Sequence, residues 1–82
     1  MRIDKFINSV NLTKRRAIAQ DMIEHNAVLV NGMKVKSSKQ IKIGDIIEFV
    51  FLDSTEKYEV LQIPTTKSIP KSKKDEFVRQ IV

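Results

Sequence analysis

Apolar residues recur at Ile3, Phe6, Ile7 and Val10, the i, i+3, i+4, i+7 spacing of one helical face. The pattern predicts a short helix over Met1–Val10, with Arg2 and Lys5 off the stripe on a shared solvent face. Asp4 is an N-cap or a partner for a nearby cation. Asn11-Leu12 breaks the pattern, and Thr13 is the expected N-cap of a second helix, Lys14 to His25. In that helix Ile18 and Met22, and Ala19 and Ile23, form a narrow apolar stripe, with Ala19 small enough for close packing on the first helix. His25-Asn26 closes it, because Asn tolerates the left-handed conformation of a helix cap.

From Ala27 the period changes to two. Val28-Leu29-Val30, Asn31-Gly32 and Met33-Lys34-Val35 predict a β-hairpin, since both turn positions accept positive φ. Lys34 and Lys36 are expected on one face, Met33 and Val35 on the other. Ser37 to Gln40 is a polar loop, Ile41 and Ile43 bracket Lys42, and Gly44-Asp45 turns the chain. Ile46–Leu52 and Tyr58–Ile63 are β-prone and predict an antiparallel pair around Asp53-Ser54-Thr55. After Pro64, residues 65–72 read as a linker, and Ser72 is the expected cap of a short last helix whose apolar face is Phe77, Val78 and Ile81. The expected fold class is α+β, with two N-terminal helices on a small, mostly antiparallel sheet of about four strands. The expected organisation is a domain over 1–63 and a basic linker and tail over 64–82.

Length narrows the function. A chain of 82 residues buries only about 60–65% of the surface its unfolded form exposes, so a deep enzymatic cleft is not expected. There is no cysteine and one histidine. That leaves no thiolate nucleophile and no visible catalytic or metal-binding constellation; His25 reads as a last-turn residue favoured by the helix dipole. No catalytic residue, metal or cofactor is expected. No apolar leader and no run of 18 apolar residues is visible, which points away from secretion and membranes and toward the cytoplasm.

Charge adds direction. The formal net charge is +5, but residues 1–43 carry +6, residues 44–66 carry −4 and residues 67–82 carry +3. Such segregation suits a basic face aimed at a polyanion, with an acidic far side. Lys14-Arg15-Arg16 stands where the second helix begins, the end at which each cation costs roughly a few tenths of a kcal/mol. Phosphate binding would offset that cost; a solvated basic turn is the plainer reading. Phe6 belongs to the core stripe, and Phe49, Phe51 and Tyr58 lie in the acidic part, so base stacking is not expected. The composition favours recognition of structured RNA by shape and phosphate. The other reading is a protein-interaction module using the Ile46–Leu52 strand or the tail, and duplex DNA is a third.

Arg2-Ile3-Asp4-Lys5-Phe6-Ile7, Lys14-Arg15-Arg16-Ala17-Ile18-Ala19, Met22-Ile23, Val28-Leu29-Val30-Asn31-Gly32 and Gly44-Asp45-Ile46 together resemble an S4-type RNA-binding domain. A chain that is little more than this domain, with Ser37-Ser38-Lys39, resembles the heat shock protein 15 family and its short Gram-positive relatives. The resemblance implies a non-catalytic two-helix-plus-hairpin RNA surface that binds 23S rRNA near tRNA on the large ribosomal subunit. It further implies rescue or quality control of stalled subunits carrying peptidyl-tRNA; ribosome assembly is an alternative. Carried over by position, the RNA-binding residues are Arg2, Lys5, Lys14, Arg15, Arg16, Asn31, Lys34, Lys36 and Lys39, with Asp4 orienting Arg16. A monomer is expected. Two departures stand out: Asn26 where the family usually has Gly, and a tail shorter and less basic than the long C-terminal helix of some relatives.

Overall fold

A computed structural model describes residues 1–81; Val82, the last residue of the expected tail, lies outside the described residues. Helix α1 spans Ile3–Ser9 and α2 spans Arg16–Glu24. Strands β1 (Val28–Val30), β2 (Met33–Lys34), β3 (Ile46–Val50) and β4 (Thr55–Val60) follow. A single 3-10 turn, Lys71–Lys73, then leads through α3 (Lys74–Phe77) into β5 (Val78–Ile81). The five strands form one antiparallel sheet in the order β2-β1-β3-β4-β5.

The stripe of α1 is wholly buried: Ile3, Phe6, Ile7 and Val10 have no exposed surface. They meet Ala19 and Ile23 of α2 and the inward side chains of the sheet, among them Val28, Val30, Ile47, Phe49, Tyr58, Val60 and Val78. Both helices end in the same way. Asn11 and Asn26 take φ of 65° and 58°. The next residues, Leu12 and Ala27, donate their N–H groups back to the carbonyls of Ile7 and Met22. This pair of bonds satisfies carbonyls that a helix end leaves open. Asn26 thus takes the left-handed backbone expected of it as a helix cap. Asn31 and Gly32, at φ of 52° and 80°, make the expected hairpin turn.

Four local expectations change. Thr13 does not cap α2. Its hydroxyl donates to the Arg15 carbonyl at 3.1 Å, which moves the first helical residue to Arg16 and leaves Lys14 and Arg15 ahead of the helix. Ile18, expected on the buried stripe, is 44% exposed because it sits in the first turn of α2, at a groove described below. Met33 is 68% exposed, since β2 stops after two residues and carries no inward face. Of Ile46–Leu52, the candidate strand for pairing with a partner, the Ile46–Val50 part is instead the central strand β3, hydrogen-bonded to β1 and β4, and Phe51 and Leu52 lie beyond it.

The C-terminal segment differs most. Where a helix over Ser72–Ile81 was expected, the helical part ends at Phe77 and Val78–Ile81 becomes a fifth strand on β4, with Val60 opposite Val78. Residues 65–70 are not a loose linker either. The buried Ser9 hydroxyl donates to the Lys67 carbonyl at 2.7 Å, Asn11 donates to the Ile69 carbonyl at 2.9 Å, and Ile69 is 8% exposed. The segment is strapped across the C-terminal end of α1.

Candidate nucleic-acid interface

The site is built on Asp4. It lies in the first turn of α1, after the N-cap Arg2, and is fully buried. A buried carboxylate is tolerated only when its oxygens are fully engaged. Here the Lys5 backbone N–H donates to Oδ1 at 2.8 Å and Gln20 Nε2 donates to Oδ2 at 2.9 Å. Two guanidiniums close on the same group side-on. Arg16 places Nε 3.3 Å from Oδ2 and Nη2 3.3 Å from Oδ1; Arg2 places Nε 3.3 Å from Oδ1 and Nη2 3.4 Å from Oδ2. Burial works against ionisation of Asp4, but the bonds from Gln20, Arg16 and Lys5 and the charge of Arg16 outweigh it. The pKa is held below the ordinary value of 3.8.

Both arginine side chains remain over 40% exposed. One carboxylate therefore holds two arginines together that would otherwise repel, and the triad keeps one net positive charge facing solvent. The distances exceed the 2.7–2.9 Å usual for charge-assisted bonds, so aim rather than bond strength is the product of the arrangement. Asp4 is thus a partner of two cations rather than a simple N-cap, and Gln20, absent from the sequence reading, is the fourth member. Its signal was present: Gln20 stands four residues after Arg16, on the same helical face.

The remaining cations are divided among several clefts, two of which Arg2 lines. Arg2 and Lys36 line one cleft with Val35, Ser37 and Ser38. Lys34, Lys36 and Lys39 share the next with Asn31. Arg2 and Lys5 line a third, which brings in Lys67 from the C-terminal strap. The Asn31 side chain is used internally: Nδ2 donates to Asp45 Oδ1 at 3.2 Å, and Oδ1 accepts the Ile46 N–H at 3.0 Å. It fastens the hairpin to the Gly44 turn and so positions Lys34 and Lys36. Lys14 lies in a different neighbourhood, in a cleft with Lys71 and Lys74. Arg15, the extended N-cap residue of α2, is exposed and lines none of these clefts. Two inferences from segregated charge also change: Glu56 and Phe51 lie beside Thr13 and Lys14, so the acidic β3–β4 hairpin is not wholly on a far side and aromatics are not remote from the basic turn.

His25 is the C-cap of α2, with Nδ1 2.8 Å from the Asp21 carbonyl oxygen; that contact and the Asp21 charge raise its pKa. Among the described residues, no group of three or more His, Cys, Asp or Glu is placed to hold a metal ion, and no helix is long and apolar enough to cross a membrane.

Comparison with known proteins gives this geometry its setting. The profile of the S4 domain matches residues 1–47, which hold α1, α2, the first hairpin and every residue of the arginine cluster. The chain belongs to the S4 domain family. It is 51% identical over 71 residues to the RQC P-site tRNA stabilizing factor of Helicobacter pylori strain J99, a match that covers 87% of this chain and 84% of that protein. The protein of the same description from Bacillus subtilis strain 168 is 38% identical over 45 residues, 55% of this chain and 52% of its own. Among solved structures, the solution structure of a hypothetical protein is 43% identical and superposes with a TM-score of 0.86 over all of this S4 chain and 98% of its own. The trimeric structure of Vibrio cholerae Heat Shock Protein 15 superposes with a TM-score of 0.88 at 23% identity, over 99% of this chain and 81% of that one, and so shares the fold.

Proposed function

We propose that this S4 protein acts without catalysis, in the cytoplasm and as a monomer, by holding tRNA and 23S rRNA together on stalled large ribosomal subunits that carry peptidyl-tRNA. The observation that carries the reading is the pair of arginines held on one buried carboxylate, in a chain half identical over most of its length to a factor named for stabilising P-site tRNA in quality control. An aimed guanidinium offers phosphate a planar fork that a free lysine does not. Arg2 and Arg16 are the central ligands in this reading, with Lys5, Lys14, Arg15, Lys34, Lys36 and Lys39 as surrounding phosphate contacts. Asp4 and Asn31 are positioning residues. The S4 unit over 1–63 supplies the main surface, and 64–82 adds cations at its border.

Sedimentation of cell lysate tests the proposal. The protein is expected with free large subunits and peptidyl-tRNA, and more so when stalling is induced. A peak with assembly precursors would favour a role in assembly, and a position at the top of the gradient would remove the ribosomal reading.

A further inference from the structure

A groove of about 230 Å³ lies between α2 and the sheet. Leu12, Ile18 and Met22 form one wall; Phe49, Phe51 and Tyr58 form the other. Ile18 and Phe51 are 44% and 43% exposed, an apolar lining the core does not use. A second, wider cleft shares Leu12, Thr13 and Lys14 with it and is flanked by Lys71 and Lys74. Three lysines therefore stand at the mouth of an aromatic groove. The Lys74 ammonium sits 5.8 Å from the centre of the Tyr58 ring, which holds that charge at the border by a cation–π contact.

We propose that this groove takes one unpaired RNA base, with the flanking phosphates on Lys14, Lys71 and Lys74. The inference rests on the RNA-binding reading above and extends the surface beyond the arginine cluster to the C-terminal segment. An unpaired base joins a flat apolar face to adjacent phosphates, and the site offers the complement of each: the exposed Phe51 ring for stacking and lysines for charge. The Phe49 and Phe51 rings lie 6.4 Å apart and within 13° of parallel, so a base on Phe51 continues an existing stack. The groove also carries one polar device. The Tyr58 hydroxyl donates to Glu56 Oε1 at 2.9 Å and keeps its proton, its pKa pushed up to about 12 by burial and by Glu56. The other oxygen of that carboxylate then favours a base edge that presents N–H donors, such as an exocyclic amine. A carboxylate would repel phosphate from the groove itself, which keeps the backbone at the lysines.

The test uses the full chain and two RNA hairpins of equal length, one fully paired and one with a single bulged adenine, compared by anisotropy at fixed salt. The bulged RNA is expected to bind about tenfold tighter, the size of one base stacking on an aromatic ring. Phe51→Ala should erase that preference and leave binding of the paired hairpin unchanged. Lys71→Gln with Lys74→Gln should weaken both. In the wild-type protein, 2-aminopurine at the bulge should lose fluorescence on binding, a readout that needs no variant. Equal binding of the two hairpins with an unquenched bulge overturns the base site and leaves RNA binding by the arginine cluster intact. Failure to bind either hairpin overturns both readings.

Discussion

Removing the Asp4 carboxylate charge leaves two half-exposed arginines and the Gln20 side-chain amide without the buried ionic acceptor they share. Asp4→Asn keeps the shape, so its effect isolates the charge. A cost of about 1–3 kcal/mol is expected in urea denaturation, the range for unsatisfied buried polar groups. RNA affinity should fall as well, because Arg2 and Arg16 lose their common anchor. The pH dependence has a definite sign. Folding lowers the Asp4 pKa, so its contribution is complete above the ordinary carboxylate value of 3.8 and is lost as pH falls through the lower folded-state value. Wild-type stability should therefore decline below about pH 4 more steeply than that of Asp4→Asn. A second variant reverses charge at the surface: Lys14→Glu with Arg16→Glu should abolish RNA binding, while circular dichroism shows a folded protein of lower stability, because Arg16 also pairs the buried Asp4. Unchanged binding would remove the arginine cluster from the interface. The Asp4–Arg16 pairing was visible in the sequence as a possibility, but the shared use of Asp4 by Arg2 was not. Arg2 lies only two residues from Asp4, a spacing that does not place two residues on one helical face; the extended backbone of Arg2 at the N-cap turns its side chain back to the carboxylate.

At the level of elements, β5 carries the largest surprise. Ser72, Asp75 and Glu76 are sound helix-start signals, and a short helix does begin nearby at Lys74. What ends it is not local. The edge of β4 presents backbone N–H and C=O groups that Val78–Ile81 can pair, and Val78 enters the core at 2% exposure. Extended pairing with burial outweighs a helix too short to be stable alone. Truncation after Phe77 should lower stability by about 2 kcal/mol or more from the loss of Val78 burial alone, measured as a fall in denaturation midpoint. If the midpoint does not move, β5 is not part of the cooperative unit. The hairpins and helix ends were easier to read. Asn-Gly and the two terminal asparagines act through the φ of single residues, and that preference travels with the residue wherever it is placed.

Across the whole molecule, the basic set is spread around clefts rather than concentrated at one point: Arg2, Lys5 and Lys67 on one side, Lys34, Lys36 and Lys39 on another, Lys14, Lys71 and Lys74 on a third. In the proposed RNA-binding reading such a surface meets several phosphates at once. With about six neutralised, log K should fall against log salt with a slope of roughly −4 to −5. Titration over a range of salt checks this, and an affinity nearly independent of salt contradicts it. The amino-acid sequence by itself determined the α+β class, the buried stripe of α1, the Asn-Gly hairpin and the sign of the binding surface, because periodicity, turn preference and charge are local properties. Only the tertiary structure decided that Asp4 holds two arginines, that the tail becomes a strand, and that Phe51 lies beside Lys14. Each of these depends on segments far apart in the chain meeting around one core, and local patterns carry no record of which open edge or cleft a distant segment will fill.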